Sequence, residues 1–491
     1  MKKSRRWFLG SSGAACLSGC SPLRKRPARS GPNATHGVQI GDIDRDRAVL
    51  WSRSERPATL CVDWSTRVHG PKTRLEGVPT PNSDGVVKLE LEGLPPGQTV
   101  FYRAWFDDGV KGEPVTGTFT VPDPAQPVRL VWGGDVCGQG YGIGPDGYRI
   151  FEAMAKQTPH AFIHSGDAIY ADQPLVSEKD TGHSGVWKNL ELDGKEKVAE
   201  TLDEFRAQFA YNLRDRHLRH FLSRTPIIAQ WDDHETHNNW WPGQTLTDER
   251  YQERSVDVLS AHARRAFHEY MPTRDRFMRV LRLGAVDVFV LDLRSHRGSN
   301  DANQSLDGSV LFGARQLAWL ERALAESQAR WKVIACDMPL GLLIPDGRAA
   351  WEGAANGDPG APLGRELEVA ALLSGLKARR IKNVVWVTAD VHYAAAHHYH
   401  PERAAFRDFD PFWEFVAGPL HAGTFGPSPL DATFGPNAVF EMGAGDRPNL
   451  PPTAGLQFFG QLDANADGSL EVSLCERSGA TVYSTTLDGS P

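Results

Sequence analysis

Four short clusters in this 491-residue chain contain the side chains that metal-assisted hydrolysis requires. Each cluster follows a short apolar run, and together the four supply carboxylate, thiol, phenol and imidazole groups. The clusters occupy residues 133–137, 165–172, 231–239 and 388–393. Since an α/β sheet presents functional groups at the carboxyl ends of its strands, the repeated order of strand and cluster predicts that the clusters meet in one site.

The spacing within the clusters indicates a mixed metal centre. Side chains two residues apart on an extended segment face the same way, so Asp135 and Cys137 could share one metal. The two oxygens of Asp167 could bridge two cations, while a Tyr170 phenolate and a Cys137 thiolate suit iron and calcium avoids thiolate. Two or more hard cations would neutralise a phosphate ester and generate hydroxide near neutral pH. The spacing of a structural zinc site is absent.

Each cluster taken singly also has a purely structural explanation. Gly-Asp pairs are common in turns, and an acidic run such as Asp232-Asp233 could begin a solvated helix. The recurrence of strand and cluster at four places in the chain is what favours a functional site.

The elements that must position the clusters are predicted from residue 128 onward. Apolar runs predict strands at 129–132, 161–164, 227–230, 286–291, 332–336 and 383–388. Amphipathic runs between them predict helices at 151–156, 202–224, 256–270, 315–327 and 365–379. The alternation indicates a layered α/β domain over residues 128–488, ending in a hairpin pattern at 456–487.

An earlier region, residues 38–121, has a different pattern of short strands separated by turn residues. Strands are expected at 49–52, 60–64, 87–91, 100–105 and 117–120. This pattern predicts a small fibronectin/Ig-like β-sandwich, with a proline-containing linker at 121–127 before the α/β domain.

The first 37 residues resemble an export signal and a tether. Ser4-Arg5-Arg6-Trp7-Phe8-Leu9 resembles a twin-arginine signal, and Leu17-Ser18-Gly19-Cys20 resembles a lipobox. We expect a signal over 1–20, a flexible tether over 21–37, and export by the twin-arginine machinery to the periplasm or cell surface. Lipidated Cys20 would then anchor the chain to the membrane, unless it is simply a residue near an ordinary cleavage site.

Composition excludes several other classes of protein. With 40% hydrophobic and 23% charged residues, the chain has a globular balance and no apolar run of membrane-spanning length. Its net charge is −7, and without the four basic residues of the first 20 it becomes 50 against 61, or −11. An acidic surface disfavours nucleic-acid binding. The four cysteines after the signal form no disulfide framework.

The ordered motifs resemble one family. Asp-x-Cys, Gly-Asp-x-x-Tyr, Trp-Asp-Asp-His-Glu and Asp-Val-His occur in the order typical of PhoD-type alkaline phosphatases/phosphodiesterases, within the calcineurin-like metallophosphoesterase superfamily. Residues 36–42 with Trp51-Ser52, residues 291–297 and residues 412–419 resemble further elements of that family. The resemblance implies an α/β/β/α metallophosphoesterase-like domain preceded by the sandwich.

The resemblance also implies roles for individual residues. The implied metal ligands are Asp135, Cys137, Asp167, Tyr170, Asp390 and His392. Of these, Cys137, Tyr170 and His392 would favour Fe3+, and Asp167 would bridge to Ca2+. Further candidate ligands are Asp233, which replaces a ligand Asn of relatives, and Asn238.

The implied substrate contacts are a histidine and an arginine. His234 would contact the phosphate or protonate the leaving oxygen. Arg294 or Arg297 would clamp the phosphate, with a surface salt bridge as the alternative. This sequence departs from the relatives at His296, where a bulkier aromatic residue is expected, and at Asp337, where purple acid phosphatases supply a histidine.

The sequence therefore predicts an exported metal-dependent enzyme that hydrolyses phosphate mono- or diesters through attack by metal-bound hydroxide. Two alternatives remain open at this point. One is a phospholipase D-like hydrolase of lipid head groups. The other is a non-catalytic, surface-anchored binding protein whose metals are structural.

Overall fold

The computed structural model describes residues 30–183, 185–307, 309–348 and 350–489. The expected signal at 1–20, with Cys20, and the expected tether up to residue 29 lie outside the described residues. Strand β1 begins at Ala34, inside the segment predicted as tether. Within the described ranges, no helix is both long and apolar enough to cross a membrane.

The N-terminal region contains seven strands, and every strand predicted there is confirmed. They are β1 (Ala34–Asp44), β2 (Arg47–Ser54), β3 (Thr59–Ser65), β4 (Thr73–Gly77), β5 (Val86–Leu91), β6 (Thr99–Asp107) and β7 (Val115–Thr120). Strands β3, β4, β6 and β7 form an antiparallel sheet in the order β4-β3-β6-β7. Strands β1, β2 and β5 belong to a second, larger sheet.

The rest of the described chain alternates strands with helices as the periodicity predicts. The strands are β8 (Val128–Gly133), β9 (Ala161–Ser165), β10 (Glu178–Asp180), β11 (Val186–Lys188), β12 (Ile227–Gln230), β13 (Arg279–Leu283), β14 (Val286–Val290), β15 (Trp331–Ala335), β16 (Val384–Thr388), β17 (Ala394–Tyr399), β18 (Phe412–Val416), β19 (Pro436–Met442), β20 (Phe458–Ala464), β21 (Leu470–Glu476) and β22 (Thr481–Leu487). The helices are α1 (Ile150–Lys156), α2 (Leu202–Asn212), α3 (Arg216–Leu222), α4 (Val256–Tyr270), α5 (Ala314–Glu326) and α6 (Glu366–Ala378).

One long helix predicted at 202–224 is in fact two helices. The carboxylate of Asp215 accepts hydrogen bonds from the backbone N–H groups of His217 and Leu218, both at 2.9 Å, and so caps α3. An N-cap residue has extended backbone geometry, which ends the preceding helix. The amphipathic pattern continues through this break, which is why periodicity alone did not find it.

Two large sheets contain the strands that precede the polar clusters. The first has nine strands in the order β22-β21-β20-β8-β9-β12-β1-β2-β5, and β8, β9 and β12 run parallel. The second has seven strands in the order β13-β14-β15-β16-β18-β17-β19, and β14, β15, β16 and β18 run parallel. Parallel strands end at the same edge of their sheet, so each sheet has one functional edge.

The two sheets pack face to face with helices outside, which confirms the α/β/β/α layering. Leu130 and Ile163 of the first sheet share a buried core with Val288 and Val333 of the second. Alternate residues such as Phe162 point the other way, into a core shared with helices α1 to α4. A third core joins the second sheet to α5 and α6. Inner strands such as β9 and β12 are buried along their whole length, as expected for strands covered on both faces.

The N-terminal region is joined to the α/β region by strand pairing as well as by the linker. Strand β1 lies parallel to β12, with Gly41 opposite Ile227. A Cβ atom at Gly41 would lie 2.3 Å from the Pro272 carbonyl oxygen and 2.9 Å from the Ile227 carbonyl oxygen, so a larger residue would disturb this contact. Next to this contact, Asp42 and Arg279 form a buried ion pair at 2.8 Å. The predicted sandwich strands are therefore present, but one of the two sheets extends into the α/β region.

Candidate metal centre

The four predicted clusters meet where the two sheets present their carboxyl edges. The loops after β8, β9 and β12 carry Asp135, Asp167 and Asp233, and the loop after β16 carries Asp390 and His392. Apart from Asp390, which is half-buried, these side chains are buried. The predicted convergence of the clusters is observed.

Unusual backbone geometry brings the loops close enough to meet. Asp135, Asp167 and Asp390 have φ values of 68°, 55° and 66°, in the left-handed region that residues other than glycine rarely adopt. Gly166 also has a positive φ, and a Cβ atom there would collide with the side chain of Asp232. Such strained conformations persist only where surrounding contacts hold them, and they concentrate at functional sites.

Three groups of side chains could each hold a cation. Within each group, one ligand atom from every residue lies within 4.8 Å of the others. The groups are Asp135 with Asp167 and His392, Asp167 with Asp233 and His234, and Asp232 with Asp233 and Asp390. Asp167 belongs to two groups, so it lies where a bridging carboxylate is predicted.

The chemistry of this carboxylate cluster fits bound cations. Both carboxylate oxygens of Asp135 and Oδ2 of Asp167 are buried and have no hydrogen-bond partner among the described residues. Burial, and after it the charges of neighbouring carboxylates such as Asp232 and Asp233, raise the pKa of Asp135 and Asp167 well above the usual range. Several carboxylates at this separation cannot all ionise unless positive charge is placed among them. Oxygen ligands of this kind favour hard metal ions.

Tyr170 and His392 form one side of the cluster. The Tyr170 hydroxyl lies 2.8 Å from Nε2 of His392, and the same nitrogen is 3.7 Å from Asp135. Nδ1 of His392 donates to the carbonyl oxygen of Gly423 at 2.5 Å, so Nε2 is left with its lone pair facing the cluster. Burial lowers the pKa of His392 to about 4, which keeps the ring in the neutral form that binds metals.

Cys137 belongs to none of the three groups found among the described residues, and its role as a metal ligand stays a prediction. Its thiol lies within hydrogen-bonding reach of the Tyr148 hydroxyl, and burial raises the pKa of the thiol. Cys137 has a φ of 74° and its N–H donates to the His421 carbonyl oxygen at 2.7 Å. Asp135 and Cys137 both have a positive φ, so the segment is not the extended strand that the same-face argument assumes, and a metal shared by the two residues stays a prediction.

His234 is paired with an aspartate that the predicted site did not include. Nδ1 of His234 lies 2.8 Å from Asp172, while its Nε2 makes no hydrogen bond within the described chain. Burial disfavours the charged ring, but Asp172 and Asp233 outweigh burial and raise the pKa of His234 to about 9. The ring is therefore held by one nitrogen and presents a protonated second nitrogen, which is the arrangement of a general acid.

The two predicted clamp arginines do not reach the surface. Arg294 is 0% exposed and Arg297 is 2% exposed. Arg294 donates to Asp232 through Nε at 2.7 Å and lies 2.6 Å from Glu352, which also accepts from Arg297 at 3.0 Å. Both side chains form buried ion pairs, so the predicted surface salt bridge is wrong, and the phosphate clamp stays a prediction. They offset the charge of the carboxylates beneath the cluster.

Two further residues of the third polar cluster, Glu235 and Asn238, lie at the site. Glu235 accepts hydrogen bonds from the backbone N–H groups of Asp167, Ala168 and Asp232, at 2.6 to 3.2 Å, and so joins two of the loops. Asn238 is exposed and contributes its backbone N–H to Asp172 at 3.0 Å. Glu235 and Asp172 lie inside the recognised clusters, so sequence could have suggested them, whereas Glu352 has no motif around it.

Fold and site together define the class of protein. An α/β/β/α fold with carboxylates and histidines at the strand ends is that of metallophosphoesterases, and this chain is a phosphoester hydrolase. The PhoD-like phosphatase model matches residues 130–469, and the PhoD-like phosphatase N-terminal domain model matches 19–122. The chain belongs to the PhoD-like phosphatase family.

Individual proteins and solved structures are also similar to this chain. Alkaline phosphatase D of Bacillus subtilis (strain 168) is 26% identical over 431 residues, covering 79% of this chain and 69% of that protein. The solved structure of PhoD matches with a TM-score of 0.70 at 19% identity and covers 94% of each chain. A purple acid phosphatase from yellow lupin (Lupinus luteus) seeds matches with a TM-score of 0.60 at 13% identity, covering 94% of this chain and 74% of that one.

Replacement of Arg294 tests its structural role. We expect Arg294→Met to lower the free energy of unfolding by about 3–5 kcal/mol and to reduce metal content, because the charge of Asp232 is left unpaired. Urea denaturation and elemental analysis measure both effects, and Arg294→Lys should be intermediate because it keeps the charge without the planar fork. A raised KM with unchanged stability and metal content would instead show a phosphate clamp.

Replacement of Asp172 tests the orientation of His234. We expect Asp172→Asn to lower kcat about tenfold or more, with a larger loss on phenyl phosphate than on p-nitrophenyl phosphate, since the poorer leaving group needs the proton more. The raised pKa of His234 keeps the acid protonated below about pH 9, so the alkaline fall in kcat should move to lower pH in the variant. Exposed Asp193→Asn is the control. Equal losses on both esters would contradict the role.

Proposed function

We propose that this protein is an exported, metal-dependent phosphoesterase that hydrolyses phosphate mono- and diesters. One observation carries the proposal: a buried carboxylate cluster with unpartnered oxygens lies beside a histidine whose Nε2 is free. The unpartnered carboxylate oxygens favour bound cations, and the histidine supplies a proton donor. Phosphate ester hydrolysis needs both.

The donor sets favour two different metal ions. Phenol and imidazole donors from Tyr170 and His392, with Asp135 and Asp167, suit Fe3+. The carboxylates of Asp233 and Asp390, with Asp167 shared, suit Ca2+ because they offer oxygen alone. When bound, such ions supply positive charge for the phosphate oxygens and lower the pKa of water. This proposal omits Cys137, since its thiol faces Tyr148.

The chain's own residues account for the remaining steps. His234 donates a proton from Nε2 to the leaving oxygen, and Asp172 holds the ring in the required orientation. Glu235 keeps the Asp167 loop against the Asp232 loop through its three backbone contacts. Arg294 and Glu352 hold Asp232 in place from below.

The proposed location rests on the N-terminal sequence, which lies outside the described residues. The Arg5-Arg6 pair supports export of a folded, metal-loaded enzyme by the twin-arginine machinery, and Cys20 supports a lipid anchor. A phosphatase at the periplasm or cell surface would meet phosphate esters from outside the cell.

Asp167 provides the direct test of the reaction. We expect the purified protein to hydrolyse p-nitrophenyl phosphate and bis-p-nitrophenyl phosphate, and Asp167→Asn to reduce both rates by at least a hundredfold, because the shared carboxylate is lost. Chelation by EDTA should remove activity and added metal should restore it. Asp275→Asn, an exposed substitution away from the cluster, should leave both rates intact. Rates that survive both Asp167→Asn and chelation would refute the proposal.

The visible spectrum separates the two candidate iron ligands. A phenolate bound to ferric iron absorbs strongly, so the pure protein should show a visible band that Tyr170→Phe removes. Cys137→Ser should retain the band and the iron content, because the thiol lies outside the cluster. If Cys137→Ser removes the band and Tyr170→Phe preserves it, the ligand assignment is wrong.

A further inference from the structure

The long connection between β15 and α6 contacts the surroundings of the metal centre at two places. Residues 344–346 and 350–352 of this connection pair as antiparallel segments. Glu352, on the second segment, is paired with the buried arginines beneath the carboxylate cluster. Asp346, on the first segment, is half-buried and its carboxylate contacts the loop after β12. No sequence motif surrounds Asp346, and it lies outside all four polar clusters.

Asp346 accepts hydrogen bonds from two asparagines on different loops. Its Oδ1 accepts from Nδ2 of Asn239 at 3.1 Å, and its Oδ2 accepts from Nδ2 of Asn300 at 2.8 Å. Nδ2 of Asn300 also donates to the Asn239 carbonyl oxygen at 2.8 Å. Asn300 is 0% exposed, and its own Oδ1 accepts from Arg365 at 2.7 Å. The loop after β12, in the first sheet, is thereby joined to the β14–α5 and β15–α6 connections of the second sheet.

Asn239 in turn contacts a carboxylate of the cluster. Its backbone N–H donates to Oδ2 of Asp233 at 2.6 Å, while the His234 N–H donates to Oδ1 at 2.8 Å. These two N–H groups set the direction in which Asp233 presents its remaining lone pairs. Asp233 belongs to two of the three groups that could hold a cation, so this direction matters for metal binding.

The backbone of Asn239 needs contacts that hold it in place. Its φ is 57°, in the left-handed region that residues other than glycine rarely adopt. Such a conformation persists where the surrounding structure holds it. Asp346 holds the side chain of Asn239, and Asn300 holds its carbonyl oxygen. The N–H that reaches Asp233 is therefore fixed by groups from the second sheet.

We propose that Asp346 is a positioning residue of the metal centre: it holds Asn239, whose N–H orients the carboxylate of Asp233. The inference rests on the proposed metal-dependent function and adds a residue that acts on the centre through another. Asp346 itself belongs to none of the three cation groups among the described residues. Outer partners orient ligating carboxylates, and their loss typically lowers metal affinity or activity by about 10- to 100-fold.

Binding of Ca2+ after chelation tests the role of Asp346. The wild-type protein and Asp346→Ala are treated with EDTA and titrated with Ca2+ by calorimetry, and we expect the variant to bind about tenfold more weakly or worse. Asp346→Asn should bind as the wild type does, because the Asn239 amide can turn over and both hydrogen bonds then form again. Asp358→Ala is the matched control: Asp358 is half-buried in the same connection, and its carboxylate accepts from the nearby Gly360 N–H at 2.8 Å.

A second variant removes the same hydrogen bond from its other partner. Asn239→Gly deletes the amide that contacts Asp346 and keeps the backbone N–H, and glycine adopts the positive φ without strain. We expect it to weaken Ca2+ binding as Asp346→Ala does. The double variant should be no weaker than the weaker single variant, because both substitutions remove one and the same contact.

The outcomes separate this inference from the proposed function. A lower melting temperature of Asp346→Ala with unchanged Ca2+ binding would show a purely structural role and overturn the inference. Equal losses in Asp346→Asn, additive losses in the double variant, or a wild-type protein that binds no Ca2+ would overturn it too. If the variants weaken Ca2+ binding as expected but the wild-type protein hydrolyses no p-nitrophenyl phosphate, the phosphoesterase is refuted and the role of Asp346 stands.

Discussion

Repulsion between buried carboxylates is the constraint on which the rest of this structure depends. Asp135, Asp167 and Asp233 converge from three strands of one sheet, and Asp390 comes from the other. Burial raises the energy of each charge, and proximity raises it further. The fold offsets this cost from below with buried arginines and leaves the upper oxygens unpartnered, where cations would bind. The carboxylates between the two sheets therefore carry more negative charge than the buried arginines neutralise.

The same repulsion between carboxylates explains why the polar residues of the site have different roles. Side chains facing the opening, such as His234, have one nitrogen held and the other free. Side chains beneath the cluster, such as Arg294 and Glu352, have strong partners and no exposure. His234 is therefore a catalytic candidate, whereas the charge of Arg294 is paired with the carboxylates of Asp232 and Glu352.

Sequence alone predicted the layered fold, most strands and the convergence of the four clusters, because apolar runs followed by polar residues are local signals. The prediction from sequence failed where an interaction partner lies far away in the sequence or where the backbone is not extended. Cys137 was placed with Asp135 on the assumption of extended geometry, which its positive φ excludes. Arg294 was expected either to clamp the phosphate or to form a surface salt bridge, and nothing near Glu352 in the sequence indicates a buried ion pair. Likewise, the helical periodicity continues through Asp215, so it does not reveal that this residue caps a second helix.

The pairing of β1 with β12 has a consequence for how this chain can be divided. Strand β12 leads directly into the loop that carries Asp233 and His234, and its outer edge is covered by the first strand of the N-terminal region. Cutting the chain at the linker would leave that edge with unsatisfied backbone groups and open to pairing with other chains. The N-terminal region therefore acts as a scaffold for the site and cannot be exchanged as an independent module.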